Sequence, residues 1–120
     1  LDAGNQQRAA IARHYLQALA GLDLVLPTVA PGCESAWHLF VVRHPARDRL
    51  ARQLAEAGIG TVIHYPIPPH LQPAYAGLGL RRGALPIAEA IHDEVLSLPI
   101  GPTMTLDQAD QVIAALKRAL

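Results

Sequence analysis

The sequence has few residues of several chemically important types, and each scarcity narrows its possible functions. Its single cysteine, Cys33, cannot form an internal disulfide bond, which fits a reducing, cytoplasmic location. Among its ten basic residues only Lys117 is a lysine. No apolar run approaches the ~20 residues that a membrane span needs, and no signal-peptide pattern is present. We therefore expect no association with a membrane.

Net charge is also absent, because ten basic residues balance ten acidic ones. Without a basic cluster there is no electrostatic reason to bind nucleic acid. A length of 120 residues fits one domain with one core, and the alanine-rich apolar fraction of 51% favours helices packed closely on a sheet. The chain begins at Leu1 and its only methionine is Met104, so we expect it to be a piece of a longer protein.

Hydrophobic periodicity predicts an alternation of helices and short strands. Apolar residues three and four apart predict a first helix that ends near Gly21. A second helix is predicted between Pro45 and Gly58, and a third begins at Pro86 with Ile87 and Ile91 facing inward. The predicted strands are residues 36–42 (AWHLFVV), 61–65 (TVIHY) and 95–100 (VLSLPI).

The last helix has the clearest pattern in the sequence. Thr105 and Gln108 form a capping-box motif at its start, and the apolar residues that follow lie on one face. Together these elements predict an α+β fold, with a small antiparallel or mixed sheet of about three strands and helices packed on one side. The apolar faces of residues 36–42 and of the first helix are expected to be uncovered and to promote association.

The six histidines raise the question of a metal site or a nucleophile. His64 and His70 are separated by three prolines, unlike the tight spacing of zinc motifs, and Cys33 has no partner cysteine. We therefore predict no metal site. A pair of Cys33 with His38 lacks a third group to orient it, so Cys33 is interpreted as a small hydrophobic residue.

Arg81 and Arg82 stand in a glycine-flanked segment and are candidates for binding a phosphate or a carboxylate. Exposed arginine pairs are more often merely solvated. The segment GLGLRRG also lacks the lysine and the strand-to-helix setting of a phosphate-binding loop.

The segment GIGTVIHYPIPPH, residues 58–70, is the strongest candidate for a binding site. Pro66, Pro68 and Pro69 fix φ and remove backbone donors, so the segment holds its side chains at low entropic cost. We name residues 64–70 the proline corner. Its rigidity suits a binding wall, but it also suits an ordinary connection.

Three side chains of the proline corner are candidate substrate ligands. His64 and Tyr65 stand at the end of the predicted strand, where both can donate and accept hydrogen bonds at a sugar hydroxyl or phosphate. The alternative is that Tyr65 packs in the core and His64 only caps the strand. His70 either serves the same cleft or fills a turn.

Three segments of the sequence, in order, resemble the carboxy-terminal part of the DegT/DnrJ/EryC1/StrS aminotransferases. They are AWHLFVVR, RDRLARQLAEAGIGTVIHYPIPPHLQPAY and LPIAEAIHDEVLSLPIGPTMTLDQADQVIAAL. The opening QQRAAIARHYLQAL is similar to the helix that leads into this part of the family. The resemblance covers essentially the whole chain.

This resemblance implies that residues 1–120 are the carboxy-terminal small domain of a fold-type I enzyme whose large, pyridoxal-phosphate-binding domain is absent. The Schiff-base lysine and the main cofactor ligands lie in that large domain, so Lys117 is not catalytic and no catalytic residue is assigned here. By the same resemblance, His64 and Tyr65 face the nucleotide-sugar cleft. The implied reaction converts a nucleotide-linked keto-deoxysugar to an amino sugar, at C3, with glutamate as amino donor, in a homodimer.

Two alternatives remain open at this stage. One is a free-standing, non-catalytic binding or interaction module that kept the fold. The other is a pyridoxal-phosphate-dependent sugar dehydratase relative, in which another base replaces the lysine. Upstream sequence distinguishes the dehydratase from the aminotransferase, because it shows whether a lysine stands at the cofactor.

Overall fold

The computed structural model describes all 120 residues and contains four α-helices, two strands and two short 3₁₀ helices. The α-helices are α1 (Asp2–Ala18), α2 (Arg47–Glu56), α3 (Pro86–Glu94) and α4 (Leu106–Ala119). The strands are β1 (Phe40–Arg43) and β2 (Val95–Leu98), and the 3₁₀ helices are Pro69–Leu71 and Pro73–Leu78. No helix combines the length and the apolar character needed to cross a membrane.

The two strands pair antiparallel, with Phe40 opposite Leu98 and Arg43 opposite Val95. This arrangement confirms the predicted α+β fold with a small antiparallel sheet, but the sheet has two strands instead of about three. The predicted middle strand, residues 61–65, contributes a single bridge between Val62 and Ser97. Its pairing stays short because Pro66 cannot donate to a neighbouring strand.

The first predicted strand is also shorter than expected, because pairing begins at Phe40 instead of residue 36. Trp37 has a φ of 49°, in the left-handed region, so the backbone at this point cannot continue an extended strand. Its indole ring nevertheless stacks on Phe40, with ring centroids 5.6 Å apart. The residues before Phe40 therefore add side-chain packing to the sheet but no backbone pairing.

The helices enclose one core in which α1 and α2 both pack against α4. The apolar face predicted for α4 is buried except at its end, where Leu120 is 37% exposed. The largest fully buried side chains that these elements and the strands contribute are Ile11, Tyr15, Leu19, Phe40, Val42, Leu50, Leu54, Leu96 and Leu116. The hydroxyl of Tyr15 donates to the carbonyl of Pro99 at 2.8 Å, and burial raises the pKa of this hydroxyl well above its usual range.

The predicted capping box at the start of α4 is present. The Thr105 hydroxyl accepts a hydrogen bond from the Gln108 N–H at 3.2 Å, and the Gln108 side chain accepts one from the Thr105 N–H at 2.9 Å. Both residues of the motif are close in sequence, so this contact depends on local conformation alone.

Two expectations about burial are wrong. Ile87 was expected to face inward from α3, but its side chain is 78% exposed, and the buried residue of this helix is Glu89. The apolar faces of α1 and of residues 36–42 were expected to be uncovered. Ile11, Tyr15, Phe40 and other residues of these faces are instead fully buried within the chain. The exposed apolar side chains are concentrated between residues 62 and 87.

The alternation of side chains between the two faces of β2 determines where the proline corner lies. Leu96 and Leu98 belong to the hydrophobic core, so Ser97 between them lies on the opposite face of the strand. Val62 pairs with Ser97 on the edge of β2. The corner therefore begins beside the last strand and lies outside the core.

Candidate functional site

The proline corner is fixed to β2 at its first residue. Nδ1 of His64 lies 2.9 Å from Oγ of Ser97, two residues beyond the bridge at Val62. Because Nδ1 is engaged by Ser97, Nε2 is the ring atom of His64 that remains for another partner. Nothing in the sequence singles out Ser97, since a serine within an apolar strand is not by itself distinctive.

Tyr65 lies next to His64 and projects into solvent. Its side chain is 66% exposed, so the alternative in which Tyr65 packs in the core is wrong. The two rings meet edge to face with centroids 5.6 Å apart, and the peptide bond between them is cis. Tyr65 borders a groove of about 350 Å³ whose other walls include Ile67, Gln72 and Pro73. The groove thus offers the Tyr65 hydroxyl beside apolar and amide surface.

His70 has a different environment from the other two candidates. Its ring is buried, and Nε2 lies 3.0 Å from Oε1 of Glu89, with the side chains only 4% and 7% exposed. The other ring nitrogen, Nδ1, has no hydrogen-bond partner within the chain. The corner therefore presents Tyr65 to solvent and directs His70 inward, so the structure does not bring all three predicted ligands onto one open surface.

Glu89 joins three segments of the chain through one carboxylate. Besides His70 it accepts hydrogen bonds from the N–H of Gly83, at 2.9 Å to either oxygen, and from the N–H of Leu85 at 3.3 Å. The Gly83 N–H, together with His70 and Leu85, holds the pKa of Glu89 below its ordinary value, although burial opposes this shift. The group is therefore a carboxylate at neutral pH.

Glu89 is not among the candidate site residues predicted from the sequence, although one feature points to it. It stands in the first turn of a helix that begins with proline, where unpaired backbone N–H groups favour a carboxylate. Its partner His70 is 19 residues away, and no local pattern links the two positions.

A second residue of α3 also contacts the corner. Nδ1 of His92 donates a hydrogen bond to the carbonyl oxygen of Tyr65. Glu89 and His92 are three residues apart, so they lie on the same face of the helix. This face of α3 contacts both ends of the proline corner.

The two arginines of the glycine-flanked segment differ in their contacts. Arg82 pairs with Asp93 at 3.3 Å and approaches Glu89 at 4.0 Å. Arg81 makes no ion pair and borders a groove together with Gln72 and part of His70. Of the remaining candidates, Cys33 is an exposed free thiol. No three His, Cys, Asp or Glu side chains lie close enough together to hold a metal ion.

Comparison with known proteins gives a consistent result along the chain. The model of the family described as DegT/DnrJ/EryC1/StrS aminotransferases matches residues 1–117. The chain is 52% identical to the "erythromycin biosynthesis sensory transduction protein EryC1" of Saccharopolyspora erythraea over 98% of its own length and 32% of that protein. It is 49% identical to the dTDP-3-amino-3,4,6-trideoxy-α-D-glucose transaminase of Streptomyces venezuelae, over 98% of the chain and 31% of the relative.

Solved structures give the same picture. A crystal structure of S. venezuelae DesV in complex with a ketimine intermediate matches with a TM-score of 0.94 and 48% identity, over 98% of this chain and 32% of that one. A structure of NtdA from Bacillus subtilis with bound cofactor PMP matches with a TM-score of 0.81 and 29% identity, over 97% and 28% of the respective chains. The chain thus spans about a third of the length of the curated relatives it matches.

Proposed function

Because the chain belongs to the DegT/DnrJ/EryC1/StrS aminotransferase family, we propose that it is the carboxy-terminal small domain of a nucleotide-sugar aminotransferase. The whole enzyme converts a nucleotide-linked keto-deoxysugar to an amino sugar, with glutamate as amino donor. The observation that carries the proposal is the 49% identity to the S. venezuelae transaminase along 98% of the chain.

The nucleotide and the sugar position follow from the same similarities. The S. venezuelae relative is a transaminase of a dTDP-3-amino sugar, and so is a relative from Aneurinibacillus thermoaerophilus that is 45% identical over 98% of the chain. Both names place the amino group at C3. We therefore propose a dTDP-linked 3-keto sugar as the substrate.

The residues of this chain do not by themselves form a site for pyridoxal phosphate. The only lysine, Lys117, is exposed in the last turn of α4, far along the sequence from the corner. We therefore propose that the cofactor, which supplies the electron sink for amino transfer, is held mainly by a large domain outside these residues. No step of the chemistry is assigned to a side chain of this chain.

The proposed role of this chain is to orient the sugar nucleotide. The exposed hydroxyl of Tyr65 and Nε2 of His64 are the groups available for hydrogen bonds to a sugar hydroxyl or a phosphate. His70 belongs to the proposed site through the corner that it anchors, because its ring, including Nδ1, is buried within the chain. A homodimer in the cytoplasm completes the proposal, since the second subunit is expected to help close the cleft.

The test uses the complete gene product. We expect it to bind pyridoxal phosphate, and we expect glutamate to convert the bound cofactor to its amino form. A dTDP-linked 3-keto sugar should then restore the starting spectrum and yield the amino sugar. As a matched test, this chain replaces the corresponding third of the S. venezuelae transaminase, and the chimera should retain amino transfer. A chimera that folds, binds cofactor and reacts with glutamate but not with the sugar would contradict the proposal.

A second function is favoured by one observation. Two relatives bear regulatory names, the S. erythraea protein already described and a "pleiotropic regulatory protein" of Geobacillus stearothermophilus that is 39% identical. These names fit the non-catalytic binding module. In that case the complete gene product binds a dTDP-sugar in calorimetry, but glutamate leaves the cofactor spectrum unchanged.

A further inference from the structure

We infer that Glu89 and His92 are positioning residues that set the location of the proline corner, and through it the location of His64 and Tyr65. This inference rests on the proposed function, in which those two side chains contact the sugar nucleotide. Neither Glu89 nor His92 needs to touch the substrate itself.

The corner needs support from other segments because its own backbone supplies little. Pro66, Pro68 and Pro69 have no N–H group, so they cannot join a ladder of hydrogen bonds. Backbone pairing near the corner consists of the Val62 bridge before it and of short 3₁₀ contacts at its end, from Leu71 to Pro68 and from Gln72 to Pro69. Residues 64–67 therefore depend on side-chain contacts to keep their place.

Four side-chain contacts perform this task. Two of them come from α3, one comes from Ser97 of β2, and in one Nε2 of Gln72 donates to the Ile67 carbonyl at 3.3 Å. Ser97 of β2 holds the His64 ring at 2.9 Å. His92 of α3 donates to the Tyr65 carbonyl, and Glu89 of α3 accepts from His70 at 3.0 Å. The α3 contacts thus bracket the corner, one at the residue that carries the exposed phenol and one at its last residue.

The Glu89 contact is the more rigid of the two. Its carboxylate is buried and also bound by the N–H groups of Gly83 and Leu85, so it cannot move without breaking several hydrogen bonds. Hydrogen bonds to a charged group are stronger than those between neutral groups. A fixed carboxylate therefore holds the imidazole of His70 in one orientation. In this way it fixes the position of the corner relative to α3.

These contacts lie apart from the hydrophobic core, whose members do not include Glu89 or His92. A chemically matched pair serves as a control elsewhere in the chain. His14 of α1 and Asp110 of α4 are also a histidine–carboxylate pair, at 2.6 Å, but they join α1 to α4 and not to the corner. Asp110→Asn thus makes the same change of charge at a place without a role in the site.

The test compares variants of the complete gene product as holoenzyme. His92→Ala removes the donor to the Tyr65 carbonyl, whereas His92→Asn retains an N–H near the position of Nδ1. We expect His92→Ala and Glu89→Gln to raise KM for the dTDP-linked keto sugar about tenfold. His92→Ala loses one hydrogen bond, whereas Glu89→Gln loses the negative charge and one of the two oxygens that accept from the Gly83 N–H. We expect the half-reaction with glutamate to change less than about twofold, His92→Asn to restore most of the affinity, and Asp110→Asn to have no effect on KM.

A measurement that does not depend on activity accompanies the kinetics. Hydrogen exchange at the amides of Leu71 and Gln72 should accelerate in Glu89→Gln and remain unchanged in Asp110→Asn. If Glu89→Gln fails to fold, the His92→Ala and His92→Asn pair decides the question. Unchanged exchange together with unchanged KM overturns the inference, and so does an equal loss in both half-reactions that follows the melting temperature.

Failure of the proposed function gives a different result. In that case the unsubstituted protein does not react with glutamate, and the dissociation constant of the dTDP-sugar, measured by calorimetry, takes the place of KM. The positioning role then predicts the same tenfold weakening in His92→Ala and its recovery in His92→Asn. Equal dissociation constants in all variants overturn it.

Discussion

The imidazole of His64 contacts the hydroxyl of Ser97 at 2.9 Å, while the neighbouring phenol of Tyr65 remains 66% exposed. One of two adjacent side chains is therefore anchored to β2, and the other is free to meet a ligand. Because only His64 is anchored, the roles of His64 and Tyr65 can be tested by separate substitutions. His64 contributes a fixed ring nitrogen, and Tyr65 contributes an accessible hydroxyl.

The first prediction concerns these two side chains in the complete gene product. Tyr65→Phe and His64→Ala should each lower kcat/KM for the nucleotide sugar several-fold to tenfold, because each removes a neutral hydrogen bond worth about 0.5–1.5 kcal/mol. The half-reaction with glutamate should be nearly unchanged. Stopped-flow spectra of each half-reaction measure the two effects separately.

Tyr75→Phe is the matched control for Tyr65→Phe, because Tyr75 is also an exposed tyrosine but lies on the following 3₁₀ helix. It should leave both half-reactions unchanged. Equal damage to both half-reactions in a protein with a lower melting temperature would count against the site assignment.

The elements that the sequence predicts well are those fixed by neighbours along the chain. The capping box of Thr105 and Gln108 involves two residues three positions apart, and the left-handed Gly58 after α2 needs no distant partner. The buried face of α4 follows from periodicity in the same way. These features could be deduced without knowledge of the rest of the fold.

The features that sequence reasoning missed depend on distant contacts. Residues 61–65 have the composition of a strand, but only Val62 pairs with β2, in a bridge to Ser97, and Pro66 ends the segment. His70 pairs with Glu89, which is 19 positions away in the sequence. In this arrangement Glu89 is the buried residue of α3, and the apolar Ile87 is exposed, contrary to expectation. A buried carboxylate cannot be recognised until its donors are placed around it.

The second prediction is that this chain alone neither forms a specific adduct with pyridoxal phosphate nor transfers amino groups. Lys117 is exposed in the last turn of α4, and it is the only lysine of the chain. Borohydride reduction after mixing with the cofactor should give only partial labelling of amines. Lys117→Arg should retain the labelling of the N-terminal amine. Stoichiometric labelling of Lys117 together with amino transfer would contradict this prediction.

The third prediction is that the isolated chain associates into dimers or larger species through its exposed apolar groove. This groove, of about 370 Å³, has Tyr75, Leu78, Leu80 and Leu85 among its walls. All four side chains are exposed, and contiguous exposed apolar surface favours association. Sedimentation should therefore show species larger than a monomer, and Leu78→Asp should shift them toward monomer.

Leu106→Asp is the control for this change. Leu106 is another exposed leucine, at the first position of α4, where an acidic residue is compatible with the helix. It should not alter association. A clean monomer of the unsubstituted chain at high concentration would show the prediction to be wrong.

The last prediction concerns the pH dependence of stability at Glu89. Hydrogen bonds from Gly83, His70 and Leu85 lower the pKa of this carboxyl group in the folded chain, and Arg82 is the other charged group that faces it. A group with a lowered folded pKa stabilises the fold above its unfolded pKa, and this contribution is lost as the pH falls through the folded value. The free energy of unfolding should therefore differ between the unsubstituted chain and Glu89→Gln by a constant amount near neutral pH. The difference should decrease once the pH falls below the ordinary glutamate pKa of about 4.3.

Denaturant unfolding at a series of pH values measures this difference, and Asp110→Asn, whose carboxylate is mostly exposed, provides the comparison. A difference for Glu89→Gln that stays constant down to pH values where the carboxyl group is protonated would mean that shape, and not the charge of Glu89, stabilises this part of the chain.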